Sequence, residues 1–132
     1  MTRFAGYAAL FDVADAAKDT IRRGAFARTL AARRQSGLGP VPLLWQHRAR
    51  IGTVETLTED ARGLRVVARI DRPASRAAAL LRGKQVSGLS FGYRARGFRR
   101  SPQGRVLEDI ELLEVSLVTH PLQPGARVHL VE

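Results

Sequence analysis

The run Val86-Ser-Gly-Leu-Ser-Phe-Gly-Tyr93 constrains the fold most, because large and small residues alternate from Gly88 onward. This pattern predicts a strand with three large side chains filling a core on one face: Leu89, Phe91 and Tyr93. The opposite face then presents the Ser90 hydroxyl between Gly88 and Gly92, where another chain can approach closely. A serine hydroxyl is a weak nucleophile without a base to take its proton. Ser90 is therefore a candidate nucleophile that requires a nearby base.

Strands dominate the rest of the chain. Apolar or alternating runs predict five further strands, at residues 3–11, 41–47, 51–57, 64–70 and 105–118. Two helices are predicted at residues 26–35 and 72–83, the second with Pro73 in its first turn and Gly83 at its end. About six strands with two or three helices predict an α+β, mainly β fold, in which a small antiparallel β-barrel is ringed by the helices.

Length and composition limit the classes of protein to which the chain can belong. The 132 residues are enough for one core, so a single domain spanning 1–132 is expected. The absence of cysteine excludes disulfides, thiolate chemistry and cysteine-ligated zinc. No signal peptide is predicted at the N-terminus, and no run reaches the roughly 18 apolar residues of a membrane span.

The net charge is +10, from 22 Lys and Arg against 12 Asp and Glu, and a basic surface attracts polyanions. One interpretation is nucleic-acid binding. However, the arginines are spread from Arg3 to Arg127, with no recognition helix and few aromatic residues to stack on bases. Nucleic acid is therefore not predicted as the main partner, and an acidic protein partner explains the charge equally well.

His47 and Glu114 are the candidates to assist Ser90. His47 ends an apolar run, where a histidine serves either as a base or as a hydrogen-bonded strand edge. Glu114 lies in the apolar stretch 110–118, where an unpaired carboxylate is costly to bury, so a histidine or an arginine is expected beside it. A serine, a histidine and a carboxylate form a catalytic triad if they meet in space, whatever their order in the chain.

Alternation along residues 110–118 also predicts which face each side chain occupies. Leu113, Val115 and Leu117 are expected on one face, and Glu114 on the other with Leu112.

Several motifs follow one another along nearly the whole chain: Gly6-Tyr-Ala-Ala-Leu-Phe11, Arg23-Gly-Ala-Phe26, Leu44-Trp-Gln-His47, Ser87-Gly-Leu-Ser-Phe-Gly-Tyr93 and Leu112-Leu-Glu-Val-Ser-Leu-Val118. In this order they resemble the prohead (procapsid maturation) proteases of tailed bacteriophages, which are related to the herpesvirus assemblin serine proteases. The resemblance implies the herpesvirus-protease type of fold and a serine endopeptidase that needs no cofactor. It implies an enzyme that acts in the bacterial cytoplasm inside the immature procapsid. Its expected substrates are the scaffolding segment of the major capsid protein, or a separate scaffold, and the protease itself. The herpesvirus relationship also implies a homodimer.

Carried over by motif, the resemblance assigns His47 as base and Ser90 as nucleophile. Glu114, which lies 24 residues after Ser90 in the motif of the phage branch, is the favoured third member. His120 is an alternative, because the herpesvirus enzymes use a second histidine. Three further candidates stay open: Asp109, Glu111 and, as reserve nucleophile, Ser87. Of these, Glu111 is expected on the strand face opposite Glu114.

Two other functions are weighed against the protease. One is a procapsid or scaffold-like protein that keeps the fold without activity. The other is a metal hydrolase that uses His47, His120 and His129. These histidines lack a short ligand spacing, so no metal is predicted.

Overall fold

A computed structural model describes residues 2–132. Over these residues the elements run in the order β1 (Thr2–Leu10), β2 (Asp19–Ile21), α1 (Ala27–Ser36), β3 (Pro42–Trp45), β4 (Ala49–Glu59), β5 (Gly63–Ile70), α2 (Arg76–Arg82), β6 (Gly88–Ser101), β7 (Gly104–Val118) and β8 (Val128–Val131). The predicted mainly β fold with two helices is confirmed. The short strand β8 was not predicted, and β2 was expected only as a short extended piece from Thr20, since three or four residues carry almost no periodic signal.

The strands form one sheet in the order β2-β7-β3-β4-β5-β1-β8, and β6 pairs with β7 in a long hairpin. Most strand pairs are antiparallel, as predicted, but β2 and β3 both run parallel to β7. They occupy different stretches of the same strand: β2 pairs with residues 105–107 and β3 with residues 115–117. A parallel pairing of this kind joins distant parts of the chain and leaves no local signal in the sequence.

Helix α1 fills the interval between these two parallel pairings. Just before the helix, the Ala25 carbonyl accepts a hydrogen bond of 2.9 Å from the Ile110 amide. Within α1, the Thr29 hydroxyl accepts one of 3.2 Å from the Leu112 amide. These bonds satisfy backbone groups of β7 that would otherwise lack a partner in the interior. Helix α1 therefore covers the middle of β7, whereas the C-terminal end of β7 pairs with β3.

The sheet curls because the segment before β8 connects β6 back to β1. The Leu89 amide donates to the Ala126 carbonyl at 2.9 Å, and the Tyr7 amide of β1 donates to the Arg127 carbonyl at 3.1 Å. Apolar side chains fill the interior of this curled sheet, and the largest of those that are fully buried are Phe4, Ile21, Phe26, Leu43, Leu64, Ile70, Leu81, Leu89, Leu107, Ile110, Leu112 and Leu117. Burial of one such side chain contributes about 1.5–3 kcal/mol.

Helix α2 begins later than predicted. Its N-cap is Ser75, whose hydroxyl accepts a hydrogen bond from the Ala78 amide at 3.3 Å, and Pro73 lies in the turn before it. A serine that caps the helix in this way fixes the start of the helix more strongly than an upstream proline. The predicted end at Gly83 is confirmed.

Strand β7 contains a β-bulge beside the candidate site. Gly92 pairs with Glu114, but the next residue, Tyr93, pairs with Leu112, so Leu113 is an extra residue. Leu112 is therefore buried, with 1% of its surface exposed, while Leu113 is 37% exposed. The prediction that Leu113 shares a face with Val115, and Leu112 with Glu114, is wrong, because one extra residue exchanges the faces of all residues on one side of it.

Candidate active site

His47 lies in the tight turn between β3 and β4. Both Gln46 and His47 have left-handed backbone conformations, with φ of 53° and 62°, which are uncommon for residues other than glycine. The Gln46 amide donates to the Leu117 carbonyl at 2.9 Å, and the Gln46 side chain both donates to and accepts from Thr119 at 3.2 Å. These bonds fasten the turn to the end of β7 and present the His47 ring there.

Glu114 meets His47 at this end of β7. Its Oε1 lies 2.5 Å from Nδ1 of the imidazole, and its side chain is 13% exposed against 44% for His47. Its other oxygen, Oε2, accepts a hydrogen bond of 2.6 Å from the Ser116 hydroxyl. That hydroxyl in turn accepts a bond of 3.1 Å from the His47 backbone amide. Both carboxylate oxygens thus have partners, and one of those partners is the imidazole.

Ser90 lies directly across from Ser116 in the β6–β7 hairpin. Because paired residues of neighbouring strands point to the same face, Ser90 shares its face with Ser116 and Glu114. The core side of β6 is as predicted, since Leu89 is buried and Phe91 packs against the core. Ser90 is 8% exposed, and within residues 2–132 no protein group hydrogen-bonds its hydroxyl.

The glycines beside Ser90 have a different role from the one predicted. A Cβ on Gly92 would lie 2.5 Å from Oε1 of Glu114. A Cβ on Gly88 would lie 2.6 Å from the Val118 carbonyl and 2.8 Å from Pro121 Cδ. The protein's own groups therefore occupy the space that was expected to admit a second chain on this face.

The unpaired edge of β6 provides an approach to Ser90. Within residues 2–132, this edge has a strand partner only at Gly88, which forms an isolated bridge with Arg127. Beside Ser90 the edge borders a small cavity of about 20 Å³, whose mostly apolar lining includes Ala8, Ile21, Leu107, Leu122 and Ala126. The site can accept an extended peptide along this edge.

Tyr93, in the wall of this cavity, belongs to a buried polar cluster that was not predicted. Its hydroxyl donates to Asp19 at 3.4 Å, and Arg105 donates two hydrogen bonds of 2.9 Å to the same carboxylate. The bonds from Arg105 hold the pKa of Asp19 below its ordinary value, against the opposing effect of burial. Burial, followed by the charge on Asp19, raises the pKa of Tyr93. Near neutral pH Tyr93 is therefore a neutral phenol beside a charged pair.

The other candidate residues have different surroundings. Because of the bulge at Leu113, Glu111 shares the face of Glu114, contrary to the prediction, but it pairs with arginines at 3.3 and 3.5 Å. Asp109 pairs with Arg28 at 3.1 Å, and His120 is exposed on the segment after β7. The Ser87 hydroxyl accepts a bond of 3.1 Å from Arg127, and Ser87 lines a separate cavity with His129.

Within residues 2–132, no three side chains of the metal-ligating types come together. Over the same residues, neither helix is long and apolar enough to cross a bilayer.

Sequence comparison identifies the family. A family model described as the caudovirus prohead serine protease matches residues 1–132. The chain belongs to the caudovirus prohead serine protease family. The resemblance drawn from the ordered motifs is thus confirmed. The chain is 31% identical, over 134 residues, to the prohead protease of Enterobacteria phage HK97, in a match that covers 95% of this chain. The same match covers 58% of the HK97 protein, so the chain spans less than two thirds of that relative.

Solved structures support the fold assignment of this chain. The bacteriophage T4 capsid assembly protease matches with a TM-score of 0.73 at 12% identity, over 88% of this chain and 80% of that one. The varicella-zoster virus protease matches with a TM-score of 0.64 at 17% identity, over 99% of this chain and 64% of that one. A KSHV protease in complex with a hexapeptide phosphonate inhibitor matches with a TM-score of 0.67 at 12% identity, over the same shares. At these identities the likeness concerns the fold alone.

Proposed function

We propose that this chain is a serine endopeptidase with Ser90 as nucleophile, His47 as general base and Glu114 as the carboxylate that orients the histidine. The observation that carries the proposal is the 2.5 Å contact between Glu114 and His47 Nδ1, on the strand face that also bears Ser90. Membership of the prohead serine protease family supports the same chemistry.

In this mechanism the Ser90 oxygen attacks the scissile carbonyl while Nε2 of His47 takes the hydroxyl proton. Glu114 holds the proton on Nδ1 and stabilises the imidazolium that forms. His47 then donates the proton from Nε2 to the leaving amine, and an acyl-enzyme remains on Ser90. Water releases the acyl group with His47 again acting as base. Backbone amides that hold the oxyanion would each contribute about 3–4 kcal/mol of transition-state stabilisation.

The proposed substrate is an extended segment of a capsid protein. We assign the scaffolding segment of the major capsid protein as the main substrate and the protease itself as a second one, with cleavage taking place inside the procapsid. The names of the HK97 and T4 relatives, a prohead protease and a capsid assembly protease, support this assignment. The unpaired edge of β6 supports binding of the segment as an added strand, which main-chain hydrogen bonds would hold.

The decisive experiment is co-expression of the chain with the major capsid protein encoded beside it, read out by intact mass. Wild type is expected to remove a defined N-terminal fragment from the capsid protein, and Ser90→Ala and His47→Gln to leave it whole. Ser87→Ala is the matched serine control and is expected to cut normally. Processing by Ser90→Ala at the wild-type rate would overturn the assignment of the nucleophile. Failure of the wild type to cut would favour a fold-retaining procapsid protein without activity.

A further inference from the structure

We propose that Ser116 is a positioning residue, whose hydroxyl holds Glu114 and the backbone of His47 so that the imidazole carries its proton on Nδ1. The consequence for catalysis rests on the proposed protease function. Ser116 is completely buried, with 0% of its surface exposed, although its side chain is polar. Its hydroxyl contacts two partners, and each is a group of the candidate site.

The direction of every hydrogen bond in this cluster follows from proton counting. The His47 amide can only donate, so the Ser116 oxygen accepts from it at 3.1 Å. An ionised carboxylate can only accept, so the single proton of the hydroxyl goes to Glu114 Oε2 at 2.6 Å. Oε1 then accepts from Nδ1 at 2.5 Å. Nε2 is left as the basic nitrogen, as proton transfer from Ser90 requires.

These bonds form a closed circuit that begins and ends on His47. From the backbone amide it passes through the Ser116 hydroxyl and the Glu114 carboxylate to the imidazole of the same residue. The backbone turn at His47 and the imidazole ring are thereby coupled, because moving either one breaks hydrogen bonds that hold the other. Such coupling is useful here because a φ of 62° makes this backbone conformation unfavourable on its own.

The hydroxyl can be removed without disturbing the strand. The backbone of Ser116 pairs with Leu44 on one side and with Ser90 on the other, and alanine retains both pairings. In Ser116→Ala, Oε2 loses a donor and the His47 amide loses its acceptor. The carboxylate is then free to rotate, and the imidazole is no longer confined to the tautomer protonated at Nδ1.

The test compares Ser116→Ala and Ser116→Thr with wild type by two measurements. The first is ¹⁵N NMR of the His47 imidazole, which reports the nitrogen that carries the proton. The second is the rate at which a fluorophosphonate labels Ser90. Ser116→Ala is expected to give a mixture of tautomers and a labelling rate reduced roughly 10- to 100-fold, as small misplacements of catalytic groups do. Ser116→Thr keeps a hydroxyl and is expected to restore both properties.

Ser75→Ala serves as the control for a merely structural effect, because it also removes a hydroxyl hydrogen bond, here a partly buried one at the N-cap of α2. It is expected to lower the melting temperature while leaving the His47 spectrum and the labelling rate unchanged. A wild-type spectrum in Ser116→Ala would overturn the proposal, as would equal losses of labelling in Ser116→Ala and Ser75→Ala. If wild type is never labelled but its tautomer changes in Ser116→Ala, the protease function fails and the positioning role stands.

Discussion

The Glu114 carboxylate lies across the backbone of Gly92 on the neighbouring strand, in the space where another residue would carry its Cβ. A Cβ built there would be 2.5 Å from Oε1 and 2.9 Å from Cγ of Glu114. Glu114 pairs with Gly92 at the end of a regular stretch of register, and the bulge at Leu113 begins at the next residue. The missing side chain of Gly92 thus leaves the space that the Glu114 carboxylate occupies beside His47.

Gly92→Ala is therefore expected to displace Glu114 and to slow fluorophosphonate labelling of Ser90 by about 10²-fold. Gly97→Ala, in the same strand, is the matched control, since its Cβ would come no closer than 3.4 Å to Asp109 Cβ. Labelling rates and melting temperatures of the two variants are compared with wild type. Equal labelling of Gly92→Ala and Gly97→Ala would show that the glycine does not position the carboxylate.

Glu114→Gln tests the charge of the carboxylate while keeping its shape. An amide in place of the carboxylate no longer stabilises an imidazolium and can present a donor to Nδ1, which favours the wrong tautomer. The expected loss in the rate of capsid-protein cleavage is roughly 10²- to 10⁴-fold, the upper figure being that of the corresponding Asp→Asn change in a serine-protease triad. Glu111→Gln is the control on the same face, where it weakens only the pairs with Arg94 and Arg96. A similar loss in both variants would indicate that removing any negative charge from this face slows cleavage, and that the contact of Glu114 with His47 is not responsible.

The face of the sheet on which each side chain of β6 lies could be predicted, because β6 pairs regularly with β7 over the residues concerned. From Gly88 to Gly92 the register with β7 has no interruption, so period-two alternation places Leu89 inward and Ser90 outward. The same rule failed at Leu112 and Leu113, since a bulge inserts a residue without any residue type that marks it. Glu111 was assigned to the wrong face for the same reason.

From the sequence, the site could be predicted only as a set of residue types that the family motifs bring together. His47 and Glu114 were candidates because a base and a buried acid are rare in apolar strands. The role of Ser116 was missed, although its position two residues after Glu114 on one strand is the signal that could have indicated it. The left-handed turn at Gln46 and His47 has no glycine or asparagine to predict it. It depends on bonds to Thr119 and Leu117, which are distant in sequence.

The Asp19–Arg105 pair is expected to make stability depend on pH. The hydrogen bonds from Arg105 lower the pKa of Asp19 in the folded protein. The resulting stabilisation is fully present above the unfolded pKa, near 4, and is lost as the pH falls through the lower folded value. Arg105→Leu leaves the buried carboxylate without its partner and is expected to cost about 2–4 kcal/mol at pH 7. Urea unfolding from pH 3 to 7 measures both effects.

The Asp19→Asn/Arg105→Leu double variant is the control for this pair, because it removes the buried charge together with its partner. It is expected to recover much of the stability at pH 7 and to flatten the acid limb of the stability curve. Equal destabilisation of the single and double variants at pH 7 would indicate that packing of the Arg105 side chain, and not its charge, stabilises this region.

Gln123 is expected to hold the segment that borders the cavity beside Ser90. Its buried side-chain amide accepts from the Leu10 amide at 2.8 Å and donates to the Leu10 and Val13 carbonyls at 2.9 and 3.2 Å. Gln123→Ala leaves these backbone groups without partners, so we expect a loss of about 1–3 kcal/mol in the free energy of unfolding. Because Leu122 and Ala126 line the cavity, slower labelling of Ser90 is also expected. Gln103→Ala, in the exposed turn between β6 and β7, is the control and should change neither property. Unaltered stability in Gln123→Ala would mean that other contacts hold this segment on β1.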